Sequence, residues 1–199
     1  MTDVFFCRIA DGEGFRVLGE FIIAAWALAI ASVALFPAAF LLPKNGRGIR
    51  RLIVGCAIFQ LGHFSEHGGQ IVGLGAEGGL TLTWWARQLV YGFAWITGKE
   101  PSFGLECMHF FGDLVYLSGV IAWWRLNRGR LATAALVVQS AHQIEHAYLI
   151  SSAMATGEAL GLTAVGPESL RVVIHFTLNF GGSTLWLASA VQARRRALP

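Results

Sequence analysis

An eight-residue polar phrase occurs twice inside otherwise apolar runs: Gln60-Leu-Gly-His63-Phe-Ser-Glu66-His67 and Gln139-Ser-Ala-His142-Gln-Ile-Glu145-His146. Both copies read Q-x-x-H-x-x-E-H, and one constant interval separates every residue from its counterpart, as in a duplicated segment. Side chains three and four residues apart share a helix face. Each copy therefore projects two imidazoles, a carboxylate and an amide in one direction, which is a metal-ligand face.

The surroundings of the phrases set the solvent. Of 199 residues, 55% are hydrophobic and 14% charged, against about 25% charged in an ordinary soluble domain. The mean hydropathy is +0.56. A helix crosses the hydrocarbon layer with about 20 mostly apolar residues. Windows of that length lie at 20–42, 52–74, 103–124, 131–154 and 170–191, which predicts five transmembrane helices. The segment 81–97 is short, rich in Trp and Tyr and carries Arg87 at its centre, so it is expected to lie in the membrane interface. No basic stretch precedes the first window, which is read as a retained helix and not a secretion signal.

Basic residues cluster at Lys44 to Arg51, Arg125 to Arg130 and Arg194 to Arg196. With five spans these clusters fall on one side, which the positive-inside rule makes cytoplasmic. The expected setting is a bacterial plasma membrane, with the N-terminus outside and the C-terminus cytoplasmic. The net charge of +3 belongs to residues flanking spans, so no nucleic-acid partner is expected. Cys7, Cys56 and Cys107 form no paired framework. Cys107 reads as a small buried thiol, with a disulfide to Cys7 as the alternative.

A second motif extends the repeat. His109-Phe-Phe-Gly-Asp113 in the third window and His175-Phe-Thr-Leu-Asn179 in the fifth both read H-F-x-x-[D/N]. Windows two and three thus correspond to windows four and five. The units are 52–124, including 81–97, and 131–191, while 20–42 stands outside as an extra helix. The whole is expected to be a single all-α membrane domain. Its core is a four-helix bundle with a pseudo-two-fold axis along the membrane normal. Gly68, Gly69, Gly73 and Gly75 follow the first phrase and are read as sites of close helix packing.

Depth makes the polar residues converge. At about 1.5 Å per residue, counting from the basic clusters puts His63, His142 and Asp113 roughly 18 Å in, and His67, His146 and His109 about 24 Å in. His175 and Asn179 fall roughly 28 and 22 Å in. All six histidines lie in the apolar windows, although imidazole is costly in lipid without a partner.

The expected metal ligands are His63, Glu66, His67, His109, Asp113, His142, Glu145, His146 and His175. Gln60, Gln139 and Asn179 are expected to orient them by hydrogen bonds. Nine groups exceed the needs of one ion, so two transition-metal ions are expected, with iron or copper favoured and zinc as the alternative. Haem is not expected, because ligands one turn apart beside acids do not suit stacked porphyrins. Glu106, near the outer boundary, reads as facing water, and Arg87 as reaching for phosphate.

Locally, H-x-x-E-H resembles the zinc motif of the inverzincin peptidases, in which two His ligate and the Glu acts as base. The H-x-x-x-[D/N] element resembles one motif of the intramembrane prenyl-protein peptidases, whose paired-glutamate motif is missing here. In composition the His boxes are similar to those of membrane desaturases and hydroxylases, although their spacing differs. No family covers the whole chain on these grounds.

The function expected from these features is a membrane oxidoreductase, oxygenase-like, acting on a lipophilic or small apolar substrate. Glu66 and Glu145 would bridge the metals or relay protons. The alternatives are a zinc-dependent intramembrane hydrolase, with Ser65 or Ser140 as nucleophile candidates, and a non-enzymatic accessory subunit of a larger membrane complex or Cu/Zn carrier.

Overall fold

The computed structural model describes residues 13–77, 82–161 and 168–197, and Cys7 lies outside them. Six helices follow one another: α1 (Glu13–Leu41), α2 (Arg47–Glu77), α3 (Trp84–Thr97), α4 (Pro101–Leu126), α5 (Arg130–Thr156) and α6 (Glu168–Ala197). No strand occurs among the described residues. Four of the five apolar windows lie within longer helices, the first, 20–42, overruns the end of α1 by one residue, and the segment 81–97 contains the 14-residue α3. Helix α3 ends where Gly98 takes a left-handed conformation with φ of 63°, which glycine adopts without steric cost.

Helices α2, α4, α5 and α6 close a ring, with α2 against α4, α4 against α5, α5 against α6 and α6 back against α2. Helices α1 and α3 pack on α4 from outside and on each other. Helix α4 is therefore the central element, and its residues from Val115 to Ala122 are buried without interruption. Close approaches fix α4 and the two helices packed outside it. A Cβ on Gly104 would collide with the Val90 carbonyl, one on Gly92 with the Phe21 carbonyl, and one on Gly119 with Cys56. Of the glycines after the first phrase, Gly68 has nothing within 4 Å and Gly69 meets the Thr83 methyl at 3.5 Å, so these two do not share this role; the surroundings of Gly73 and Gly75 lie outside the described residues.

The basic clusters gather at one end of the ring. Arg125 donates to the Ala39 carbonyl at the end of α1. The indoles of Trp123 and Trp124 donate to Ser189 and Thr133, at 2.9 and 3.1 Å. Arg128 stacks over Trp124 at 5.0 Å.

Among the described residues, two helices, over Leu18–Leu41 and Pro101–Leu126, are long and apolar enough to cross a membrane. Helices α2, α5 and α6 do not reach that mark, against the five-span expectation. The reason is that they carry the buried His, Gln, Glu and Asn side chains, which lower their hydropathy. Cys56 and Cys107 are buried free thiols.

The glycine contacts generate a pair of expectations. Gly104→Ala should lower thermal stability, since overpacking costs about 1–3 kcal/mol. Gly62→Ala, where nothing lies within 4 Å, should be neutral or slightly stabilising because Ala is the better helix former. Thermal unfolding of the purified variants measures both. Equal melting temperatures for the two would remove the α3–α4 approach as a packing constraint.

Candidate metal centre

The two phrases bring their histidines together because each lies on the inward face of its helix. Around α2 the residue step is about 100°. Gln60, His63, His67 and Gln70 therefore fall within one arc of roughly 80°, and all four are buried. Helix α5 repeats this with Gln139, His142, Gln143 and His146, also buried. His109 and Asp113 enter from α4, His175 and Asn179 from α6.

The six imidazoles form two trios, His63–His67–His109 and His142–His146–His175, with the ligand atoms of each within 4.8 Å of one another. Each trio draws on one sequence unit. Within the phrases, His63 Nε2 lies 2.9 Å from His67 Nε2 and His142 Nε2 lies 3.1 Å from His146 Nε2. Cis ligands at about 2.1 Å from one ion are separated by roughly 3 Å, so these spacings fit the edge of a coordination polyhedron. The trios abut, with ring centroids 5.4 Å apart for His109–His146 and 5.7 Å for His109–His175.

Orientation comes from the opposite unit. Gln60 Nε2 donates to Asn179 Oδ1 at 3.1 Å, and Gln139 Nε2 donates to Asp113 Oδ1 at 3.3 Å. Asn179 Nδ2 lies 3.1 Å from His67 Nε2, and Asp113 Oδ2 lies 2.9 Å from His146 Nε2. The contacts therefore exchange under the same correspondence that relates the two phrases. Asp113 also reaches His142 Nδ1 at 3.5 Å and, from its other oxygen, His63 Nδ1 at 3.9 Å.

Both ring nitrogens of His109 are buried and make no hydrogen bond. A buried polar group left so costs about 1–3 kcal/mol, and the groups beside His109 are other imidazoles. A cation is the ligand that such a cluster of lone pairs fits.

The two phrase glutamates face elsewhere. Glu66 Oε2 accepts from the Thr83 backbone N–H at 3.1 Å and from the Thr83 hydroxyl, and Glu66 Oε1 accepts from Gln70 at 3.2 Å. It is fully buried but sits at the edge of the α2 arc, turned to the segment that leads into α3. Glu145 is half-buried on α5, and a Cβ on Gly161 would lie 2.5 Å from its Oε1. Each glutamate thus meets the chain that follows its own helix. Ser65 is exposed and bonded back to the Gly62 carbonyl at 2.6 Å.

Three groups not assigned from sequence join the site. Glu106 does not face water: it is 2% exposed, and its Oε2 lies 3.9 Å from His146 Nδ1. The signal was present, because Glu106, His109 and Asp113 are spaced i, i+3, i+7 on one helix face. Ser183 accepts from Gln60 at 3.2 Å and donates to the buried Tyr116 hydroxyl at 3.3 Å. Arg87 is exposed and donates to the Leu82 carbonyl at 3.2 Å, away from the imidazoles.

Residues 9–197 match the model of a protein family described as a family of unknown function, DUF6008. The chain belongs to this family. Both phrases and all six histidines of this DUF6008 protein lie within the matched residues. No curated protein and no solved structure matches the chain.

The geometry of Glu66 generates an expectation. Glu66→Gln should accelerate amide hydrogen exchange at Thr83 while leaving the number of metal ions bound by the protein unchanged. Loss of an ion on this change would return Glu66 to the ligand set.

Proposed function

We propose that this protein is an integral-membrane metalloprotein whose paired histidine trios hold two transition-metal ions. We read it as an oxygenase-like oxidoreductase for a lipophilic or small apolar substrate. The observation that carries this reading is the inverted polarity of the ring. Six imidazoles, two glutamates, an aspartate and several amides are buried, while large apolar side chains are exposed. Ile58 and Leu61 on α2, Ile144 on α5 and Leu187 on α6 are each at least 65% exposed. Large apolar side chains exposed on every one of these helices around a buried polar interior suit a lipid surrounding, and intramembrane ionisable groups mark functional sites.

Length supports the five-span arrangement. Helices α2, α5 and α6 have 31, 27 and 30 residues, hence about 40–46 Å at 1.5 Å per residue, against roughly 30 Å of hydrocarbon. Helix α3, with 14 residues, is about 21 Å long and too short to span. The arginine-rich end then faces the cytoplasm of a bacterial cell and the N-terminus lies outside. Lipid is the immediate partner, and the apolar exterior also suits a larger membrane complex.

Imidazole donors with carboxylate support suit iron or copper, which when bound supplies oxygen activation. The chain's own contribution is to hold three imidazoles per ion, to orient them through Gln60, Gln139 and Asn179, and to keep bulk water out. Glu66 and Glu145 are assigned to the connecting segments, as supports for the mouth of the site. Zinc hydrolysis is the second reading, and the exposed, back-bonded Ser65 leaves it without that nucleophile.

Protein purified in detergent should carry two metal ions per chain and lose one with His109→Ala. Elemental analysis and the optical spectrum decide the class. An oxygen-sensitive iron or copper chromophore supports oxidation, whereas two colourless zinc ions would transfer the site to hydrolysis, and substoichiometric metal would make it a carrier. The membrane assignment predicts retention in the membrane fraction after alkaline carbonate washing; release into the supernatant would overturn it.

A further inference from the structure

The two trios occupy corresponding positions but do not have corresponding neighbours. Beside His146 stands Asp113, whose Oδ2 lies 2.9 Å from the ring Nε2. Beside His67, at the equivalent position, stands Asn179, with Nδ2 at 3.1 Å from the ring Nε2. The amide's orientation follows from its other bonds: Oδ1 accepts from Gln60, while Nδ2 also donates to the His175 carbonyl at 3.2 Å. An amide N–H2 can only donate, so it directs positive hydrogens at the nitrogen that would otherwise ligate. A carboxylate oxygen at the same place accepts, carries charge and is itself a metal ligand.

A second difference has the same sign. Glu106 Oε2 lies 3.9 Å from His146 Nδ1, too far for a hydrogen bond but near enough for its charge to favour a cation held by that ring. Counting back from His175 as Glu106 counts back from His109 reaches Val172, a buried apolar residue. Asp113 Oδ2 and Glu106 therefore lean on the trio of the second unit, while the other Asp113 oxygen reaches the first trio more distantly, at 3.9 Å from His63 Nδ1. The trio of the first unit has an amide and a valine in their places.

We propose that the two metal positions are unequal: His142, His146 and His175, with Asp113 as a fourth ligand, form a tight divalent-cation site, and His63, His67 and His109 form a weaker, exchangeable one. This rests on the metal-centre reading above and adds to it an order of filling. Charge decides the order. Three neutral imidazoles leave a dication's charge uncompensated in a buried setting, whereas an adjacent carboxylate offsets part of it. The weaker position keeps an unfilled coordination direction towards Asn179, and it is the one at which an exogenous small ligand can bind.

The test is a titration of chelator-stripped full-length protein in detergent with Co(II), followed by calorimetry and by the visible d–d bands. Two classes are expected, one ion each, with affinities separated at least tenfold. His175→Ala should abolish the tighter class and His109→Ala the weaker. The near-isosteric pair Asp113→Asn and Asn179→Asp keeps the test independent of folding. The first should weaken the tight class more than tenfold, and the second should tighten the weak class towards it. Azide should perturb the bands of the weak-class ion only. Two equal classes in the unaltered protein would overturn the inequality while preserving the metal-centre reading. So would an Asn179→Asp protein that binds as the unaltered one does, or a tight class lost with His109→Ala and kept with His175→Ala. No binding by any form would remove both.

Discussion

Burial of imidazole without water is the constraint on which the rest of this structure depends. A ring nitrogen taken out of water must find a donor, an acceptor or a cation. Here six rings pack with neighbouring centroids 4.6–6.3 Å apart, and His109 makes no hydrogen bond at either nitrogen. Hydrogen bonds supplied by the other unit offset part of the cost. Gln60 and Asn179 link α2 to α6, and Gln139 and Asp113 link α5 to α4. These bonds join precisely spaced positions on separate helices, so they set helix rotation as well as neutralising polar groups.

The remaining elements can be understood as supports for that ring. Helices α1 and α3 add no histidine and no metal-ligand candidate among their described residues. Helix α3 presses on α4 at Gly104 and on α1 at Gly92. Because α4 carries Glu106, His109, Asp113 and Tyr116 on one face, a rotation of this helix would displace both carboxylates and His109 together. The extra mass of the first unit is thus placed against the helix that holds the acidic groups.

Duplication gives two similar trios, and divergence makes them chemically different. Asp113 and Asn179 are nearly the same size and shape, and both are fully buried at corresponding positions. Their electrostatics are opposite. A two-fold scaffold with one charged and one neutral half is a means of giving paired positions separate tasks without altering the packing.

Much of this was legible from spacing. The Q-x-x-H-x-x-E-H phrases and the H-F-x-x-[D/N] pairs placed His63, His67, His109, His142, His146 and His175 on inward faces, because helical periodicity depends only on sequence interval. The apolar windows marked the long helices, whose ends the structure extends by one to seven residues, except that α1 stops at Leu41. What spacing could not decide was the direction taken at the edge of a face. Glu66 lies about 60° from His63 around α2, near enough to share its face and far enough to turn to Thr83 instead. Glu106 was assigned to water from its depth, and only the packing of α4 against α5 brings it to His146. Local periodicity determines which residues share a helix face, since that is a property of the backbone alone. Which partner each side chain meets is decided by how neighbouring helices rotate and approach, and for this chain that required Gly92, Gly104 and Gly119 to meet backbone and thiol across three helix contacts.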